Sequence, residues 1–463
     1  MNLSQKKTLR PVAYMKYTAS FVMIMSLMLP WCLWAADEES ESQGFELKGY
    51  VSSKYVSRES KLSEEKVDDA DIYGQLRLDL SSPEKKYEAH FFGTARNDLD
   101  GDEESNEFSI FEDFGQVGKS EQKGAIYEAH FDLNQAMPNL KQIKIGRQSS
   151  TRDMSLYFDG LSADFKLGRK LGLIAYGGRS VRFFESDPGD DSLGGAGIDY
   201  SFSPLTSFSL DYLSTKDERV DENEEMKDRQ DDMVSLKLWQ RFSNAFKGTF
   251  KYRWINSEPR DLNLSSLILL SNSQTSFNFN YFRQFLIQNE LSEDLSSFHD
   301  LIGQTHPFQV VKLNLRQPFG SHYALDLGYL ERSLVEEEDE GSFNREFKRT
   351  FILFETFDRI HKGLNITVFG ERWSGETEVD SSGWDIGYHF DEKLNKAKVS
   401  AGSYYSLYKY DYFSDRGEKT DVRTYYVKGN FPFGQSFAVN GSYEREESLD
   451  DYNVYKLGVR YDF

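Results

Sequence analysis

The sequence predicts an all-β chain folded as one large antiparallel up-and-down barrel that spans a membrane, and three observations carry that expectation. First, short segments alternate apolar and polar residues with period two from Phe45 to the end. In the last of them Tyr455, Leu457, Val459, Tyr461 and Phe463 share one face, and Lys456, Gly458, Arg460 and Asp462 the other, as in a strand with one apolar and one wet face. Second, tight turns alternate with longer, acidic connections, as in barrels with short turns at one rim and long loops at the other. Third, beyond the N-terminal segment no apolar run is long enough for a transmembrane helix, whereas the chain holds 36 Phe, 27 Tyr and only 10 Pro. That composition suits strands and interfacial aromatic girdles.

The N-terminus reads as a signal peptide. Lys6, Lys7, Arg10 and Lys16 precede an apolar run, Ala19 to Trp34, which ends in Ala35-Ala36 and an acidic stretch. A basic region, a short apolar core and small residues make a cleavable export signal, here residues 1–36. A short polar segment, 37–44, follows, and 45–463 is the barrel. The single cysteine, Cys32, lies in the signal, so the mature chain has no structural disulfide, Cys-based metal site or haem-attachment motif. A formal charge of −21 argues against nucleic-acid binding.

The strand-like segments run in order from Phe45–Tyr55 and Ile72–Leu80 through Tyr87–Arg96 and Ala125–Leu133 to Tyr157–Leu167 and Leu171–Gly178. Turn signals such as Ser81-Ser82-Pro83-Glu84, Gly168-Arg169, Gln317-Pro318-Phe319-Gly320 and Pro432-Phe433-Gly434 punctuate them. The set comes to about 20 strands of bilayer-spanning length. Residues 256–308 admit two readings. Phe282, Phe285, Leu286, Leu295, Phe298 and Ile302 have roughly helical spacing, which fits a long loop folded into the lumen. Alternatively Leu262–Leu270 and Phe277–Tyr281 form one more hairpin, for about 22 strands. An even count leaves both chain ends at the short-turn rim.

Acid crowds the long connections, for instance Asp98–Asp113, Asp217–Asp231 and Glu336–Glu340. Such runs are solvated surface or loose sites for divalent ions. The inferred lumen face carries a basic set: Lys237, Arg241, Lys247, Lys251, Arg253, Lys312 and Arg316. If 256–308 is a loop, these form a stripe down one wall, and fixed positive charge in an aqueous pore lowers the barrier for anions. Acidic lumen residues such as Asp79, Asp132, Asp211 and Asp326 leave open the other reading, an internally paired charge ladder. A short repeat, Tyr87-Glu88-Ala89-His90-Phe91 and Tyr127-Glu128-Ala129-His130-Phe131, sets Glu88, His90, Glu128 and His130 on adjacent strands facing the lumen. Two carboxylates and two imidazoles suit a divalent metal ion or a pH-sensitive patch; cross-strand ion pairs with Arg77 and Arg96 are the alternative.

No Gly-x-Ser-x-Gly elbow or phosphate-binding loop is present, and the in-strand histidines His90, His130 and His389 face inward, away from where a barrel lipase needs its Ser and His. The chain is therefore expected to have no enzymatic activity and no cofactor.

Strand grammar, signal peptide, acidic loops and aromatic C-terminus together resemble porin-type channels of Gram-negative outer membranes, over nearly all of the mature chain. Ile145-Gly146-Arg147-Gln148 followed by Phe158-Asp159-Gly160 is similar to a strand pair of porins and polysaccharide exporters. The resemblance implies an outer-membrane location with periplasmic termini and contact with lipid and lipopolysaccharide. It implies passive passage of small hydrophilic solutes, anions among them, and a homo-oligomer among the possible states. It also implies that Tyr455, Leu457, Val459, Tyr461 and Phe463 form the signal read by the barrel-assembly machinery. A second architecture-level reading is a structural sleeve holding a periplasmic multihaem cytochrome in an electron conduit.

Overall fold

A computed structural model of the chain describes residues 44–62, 65–99, 122–149, 152, 156–181, 191–220, 226–285, 306–336, 346–375, 378–391, 396–406, 409–410, 418–419, 422–447 and 451–463. The predicted signal peptide, 1–36, and all but residue 44 of the polar segment lie outside the described residues. So does much of the acid in the long connections.

The strands are β1 (Glu46–Leu62), β2 (Glu65–Ser81), β3 (Tyr87–Asp98), β4 (Gln122–Met137), β5 (Leu140–Ser149), β6 (Tyr157–Leu167), β7 (Leu171–Val181) and β8 (Ser192–Ser203). Next come β9 (Thr206–Val220), β10 (Met226–Arg241), β11 (Phe246–Ile255), β12 (Glu258–Leu270), β13 (Thr275–Gln284), β14 (Phe308–Phe319), β15 (Tyr323–Leu334) and β16 (Phe347–Phe357). The last are β17 (Leu364–Ser374), β18 (Glu378–His389), β19 (Lys398–Ser406), β20 (Lys409–Tyr410), β21 (Glu418–Lys419), β22 (Val422–Phe433), β23 (Phe437–Glu447) and β24 (Tyr452–Asp462). The short β20 and β21 pair with each other; the other 22 strands form one sheet. Each pairs antiparallel with its chain neighbours, and β1 pairs with both β2 and β24. The sheet is closed.

At the seam the register runs from Tyr50 opposite Asp462 to Ser60 opposite Tyr452. One step further, the Gly49 amide donates to the Phe463 carbonyl at 2.9 Å and the Phe463 amide to the Gly49 carbonyl at 3.0 Å. The start of β1 and the end of β24 lie at the rim that carries the short turns.

The expected count of about 20, with 22 as the alternative, resolves to 22. Segment 256–308 is not one lumen-folded loop: β12 and β13 pair with each other and are flanked by β11 and β14. Their alternation is genuine but one-sided. Leu262, Leu264 and Ile268 stand on one face with Phe277, Phe279 and Tyr281, opposite Asn263, Ser265, Asn278 and Asn280. Leu267 and Leu269 occupy the polar face near the turn, which makes the stretch look apolar throughout. Asn256 and Ser257, with φ of 48° and 73°, close the β11–β12 connection in two residues, a geometry of tight hairpins. The rest of the predicted loop, 286–305, lies outside the described residues.

Directly opposed residues of an antiparallel ladder share a face, so the register assigns every side chain. The outer face is apolar, with Leu161, Ile198, Leu327, Ile352, Val427 and Leu457 all exposed. Near the short-turn rim rings collect on this face: Phe242 and Phe246 stack at 4.6 Å, Tyr200 and Phe202 meet edge-on at 4.7 Å, and Tyr461 and Phe463 stack at 6.1 Å. This is the girdle expected where a barrel meets lipid headgroups. No described helix is long and apolar enough to cross a membrane; a barrel crosses with strands.

Deleting Phe463 removes the last two backbone hydrogen bonds of the seam and the ring that stacks on Tyr461. The expected outcome is a severalfold lower folded, membrane-inserted fraction, measured by fractionation of cell membranes. A normal inserted fraction contradicts this role of the terminal residue.

Candidate functional site

The inner face is a wall of paired charges. Arg58 bonds to Asp69 and, at 2.8 Å, to the fully buried Asp71, which also accepts from Arg96 Nε at 2.8 Å. Arg253 lies 2.6 Å from Asp261, Arg316 2.6 Å from Asp326 and close to Glu355, and Arg349 bonds to Glu371. On β24, Lys456 reaches Glu444 at 3.4 Å and Arg460 reaches Asp462 at 2.6 Å. Much of the internally paired charge ladder is therefore present at those points.

Two described residues between β5 and β6, Arg152 and Leu156, lie against the inner face. Arg152 donates twice to Asp199, at 3.0 and 2.9 Å, and lies 2.9 Å from Asp211. Asp199 and Asp211 stand on the inner face of β8 and β9. Gly197, opposite Asp211, is what lets the guanidinium settle there: a Cβ at that position would lie 2.2 Å from the Asp211 carboxylate and 2.9 Å from Arg152 Cζ. Leu156 of the same connection packs on a buried apolar cluster of Phe158, Leu193, Leu213 and Met233, also on the inner face. A register shift at Arg253/Trp254 leaves Arg260 outside the β11–β12 ladder. Its Nη1 lies 3.4 Å from the Met233 sulfur. Bulges re-aim side chains in this way. Thus Arg152 and Leu156 lie on the inner face, where one of the two sequence readings put 256–308. Nothing in the sequence near Arg152 announces a partner 47 residues away.

The basic set is divided rather than continuous. Lys237 stands directly opposite Lys251, and Arg241 opposite Lys247, on the inner face of β10 and β11. Trp239 and Thr249 lie between the two pairs. Lys312 and Arg316 belong to β14, three strands on from β11, because β12 and β13 intervene. The intervening inner face is largely uncharged: Lys312 is reached across Asn280 and Ser265 from Thr249. The single stripe that a loop at 256–308 would have allowed does not form. Within the set, Arg253 and Arg316 are neutralised by carboxylates, whereas Lys237, Lys247 and Lys312 are exposed and make no ion pair among the described residues.

The repeated Tyr-Glu-Ala-His-Phe segments do meet. His90 is directly opposite His130, with ring centroids 4.8 Å apart. Asp79 holds His90 Nδ1 at 2.6 Å, and Asp132 holds His130 Nδ1 at 2.7 Å. Glu88 instead accepts from Asn134 at 2.6 Å, and Glu128 lies 3.7 Å from Arg77. The carboxylates nearest the imidazoles are thus Asp79 and Asp132. Asp132 was legible in principle, since it is two residues past His130 and so on the same face of the strand.

No protein-family model matches the sequence, and no curated protein matches it. Solved structures share the fold. The translocation pore of the P pilus usher PapC aligns with a TM-score of 0.51 and 10% identity, over 90% of this chain and 99% of that one. Acinetobacter baumannii OccAB4 aligns with a TM-score of 0.45 and 12% identity, over 91% and 99%. Pseudomonas aeruginosa OccK8 (OprE) aligns with a TM-score of 0.43 and 7% identity, over 90% and 98%. The closed 22-stranded sheet, apolar outside and polar within, has the architecture of a porin-type outer-membrane β-barrel.

Proposed function

We propose that this chain is an outer-membrane channel for passive passage of small hydrophilic solutes, with anions favoured. One observation carries the anion preference: two like-charge pairs, Lys237 with Lys251 and Arg241 with Lys247, face each other across neighbouring strands of the inner wall. Like charges directly opposed in a sheet are destabilising, so this juxtaposition is kept at a cost. Trp239 and the hydroxyl of Thr249 between them offer a hydrogen-bonding surface for an anion with an organic body. The short-turn rim is assigned to the periplasm and the long acidic connections to the lipopolysaccharide side, with the assembly machinery reading Tyr455, Leu457, Val459, Tyr461 and Phe463. The Arg152 clamp on Asp199 and Asp211 supports a constriction, since it sets a guanidinium over the inner face of β8 and β9 and offsets the charge of two carboxylates there.

Reversing one wall charge changes the energy of a monovalent ion about 8 Å away by about 1 kcal/mol in water-like dielectric, roughly fivefold in local partition before salt screening. Replacing Lys237→Glu together with Lys251→Glu is therefore expected to abolish or invert the anion preference, read as the reversal potential across a salt gradient in planar bilayers. Clear cation selectivity of the wild-type protein sinks the anion reading. Arg152→Ala frees Asp199 and Asp211, so larger single-channel conductance and a shift toward cations are expected. If both quantities stay at wild-type values, the β5–β6 connection does not constrict the path.

A further inference from the structure

Among the described residues, one group on the inner wall combines two imidazoles with a carboxylate at metal-binding spacing. One ligand atom from each of His90, His130 and Asp132 lies within 4.8 Å of the others. A tetrahedral zinc ion holds nitrogen and oxygen ligands about 3.3 Å apart, so small side-chain rotations close the set. The orientation of both imidazoles is already fixed. Asp79 Oδ1 accepts from His90 Nδ1 at 2.6 Å and Asp132 Oδ1 from His130 Nδ1 at 2.7 Å. A carboxylate on Nδ1 keeps the proton there and leaves the Nε2 lone pair for an ion, the arrangement by which carboxylates orient metal-binding histidines. Asp132 Oδ2 lies 3.8 Å from His90 Nε2, on the same side as that free lone pair.

Space and charge agree with an ion. The inner-face positions beyond His130 are Gly146, Gly160 and Gly178, each opposite the last. Gly146 has φ of 119°, and a Cβ there would lie 2.3 Å from the Ala129 carbonyl oxygen. The floor beside the imidazoles therefore carries no side chain, which leaves room for a fourth ligand from water or a passing solute. The charged groups facing the pair are Asp79, Glu88, Glu128 and Asp132, with Arg77 2.9 Å from Asp79 and Lys144 3.6 Å from Asp132. Lys48, opposite Asp79, is paired with Glu46 at 2.7 Å. With neutral imidazoles, four carboxylates against two cations leave two negative charges, the amount one divalent ion neutralises. Gln142 donates to Asp132 Oδ2 at 2.8 Å and steadies it.

We infer that His90, His130 and Asp132 bind one divalent transition-metal ion on the inner wall, with Asp79 as a positioning residue for His90. Imidazole nitrogens select a borderline ion such as zinc or cobalt over magnesium or calcium. The inference is independent of whether the barrel conducts. It is tested on the full protein purified in detergent by titrating cobalt and reading its visible ligand-field absorption, with zinc measured by calorimetry. One ion per chain is expected. His90→Ala with His130→Ala should abolish the cobalt band. Asp79→Asn should weaken binding roughly 10–100-fold. His389→Ala, a histidine elsewhere in the barrel, should bind as wild type. X-ray absorption at the zinc edge of the wild-type protein should show imidazole scattering, a readout that needs no variant. An oxygen-only shell, no uptake of cobalt, or a double variant that binds as wild type each overturns the site.

Discussion

Closure of the sheet between the first and last strands is the constraint on which everything else rests. In hydrocarbon no water meets an unpaired amide or carbonyl, and each such group costs several kcal/mol. A 22-stranded sheet left open between β1 and β24 would expose two full edges. The seam register from Tyr50–Asp462 to Ser60–Tyr452, extended by the Gly49–Phe463 pair, removes both. It also fixes strand parity, brings the start of β1 and the end of β24 to the short-turn rim, and sets the phase in which every later strand turns its polar residues inward.

That phase has consequences inside. Once a strand is in register, its inward side chains have neighbours chosen by the ladder rather than by chain proximity. Most of the charge there is matched: Arg253 with Asp261, Arg316 with Asp326, Arg152 with Asp199 and Asp211. Against that background two features stand out. Lys237 facing Lys251 and Arg241 facing Lys247 set like charges directly opposite each other. His90 facing His130, each held by its own aspartate, is where the wall assembles metal-binding chemistry.

The barrel was legible because period-two alternation is a local property: Tyr455 to Phe463 declares its two faces without reference to any other strand. The β12–β13 hairpin was harder to read because Leu267 and Leu269 place apolar side chains on the polar face, blurring the alternation into an apolar run that strand, loop and helix share. The pairing of His90 with His130 could be anticipated from a repeated pentapeptide on adjacent strands. Their aspartate partners were obscured by nearer glutamates in the same motif, Glu88 and Glu128, which the structure turns toward Asn134 and Arg77. The Arg152 clamp had no sequence signal at all. It depends on Arg152 reaching strands β8 and β9, and on Gly197 leaving space for the guanidinium, neither of which a linear pattern encodes.

The central claim is that the lumen is a conducting path. The most direct test is current across a planar lipid bilayer containing only the purified protein. The account predicts discrete, ohmic single-channel steps in simple salt solution, with no added partner. A bilayer that stays electrically silent while the inserted protein is shown to be folded would contradict it, and a haem protein recovered with the barrel from native membranes would then favour the sleeve.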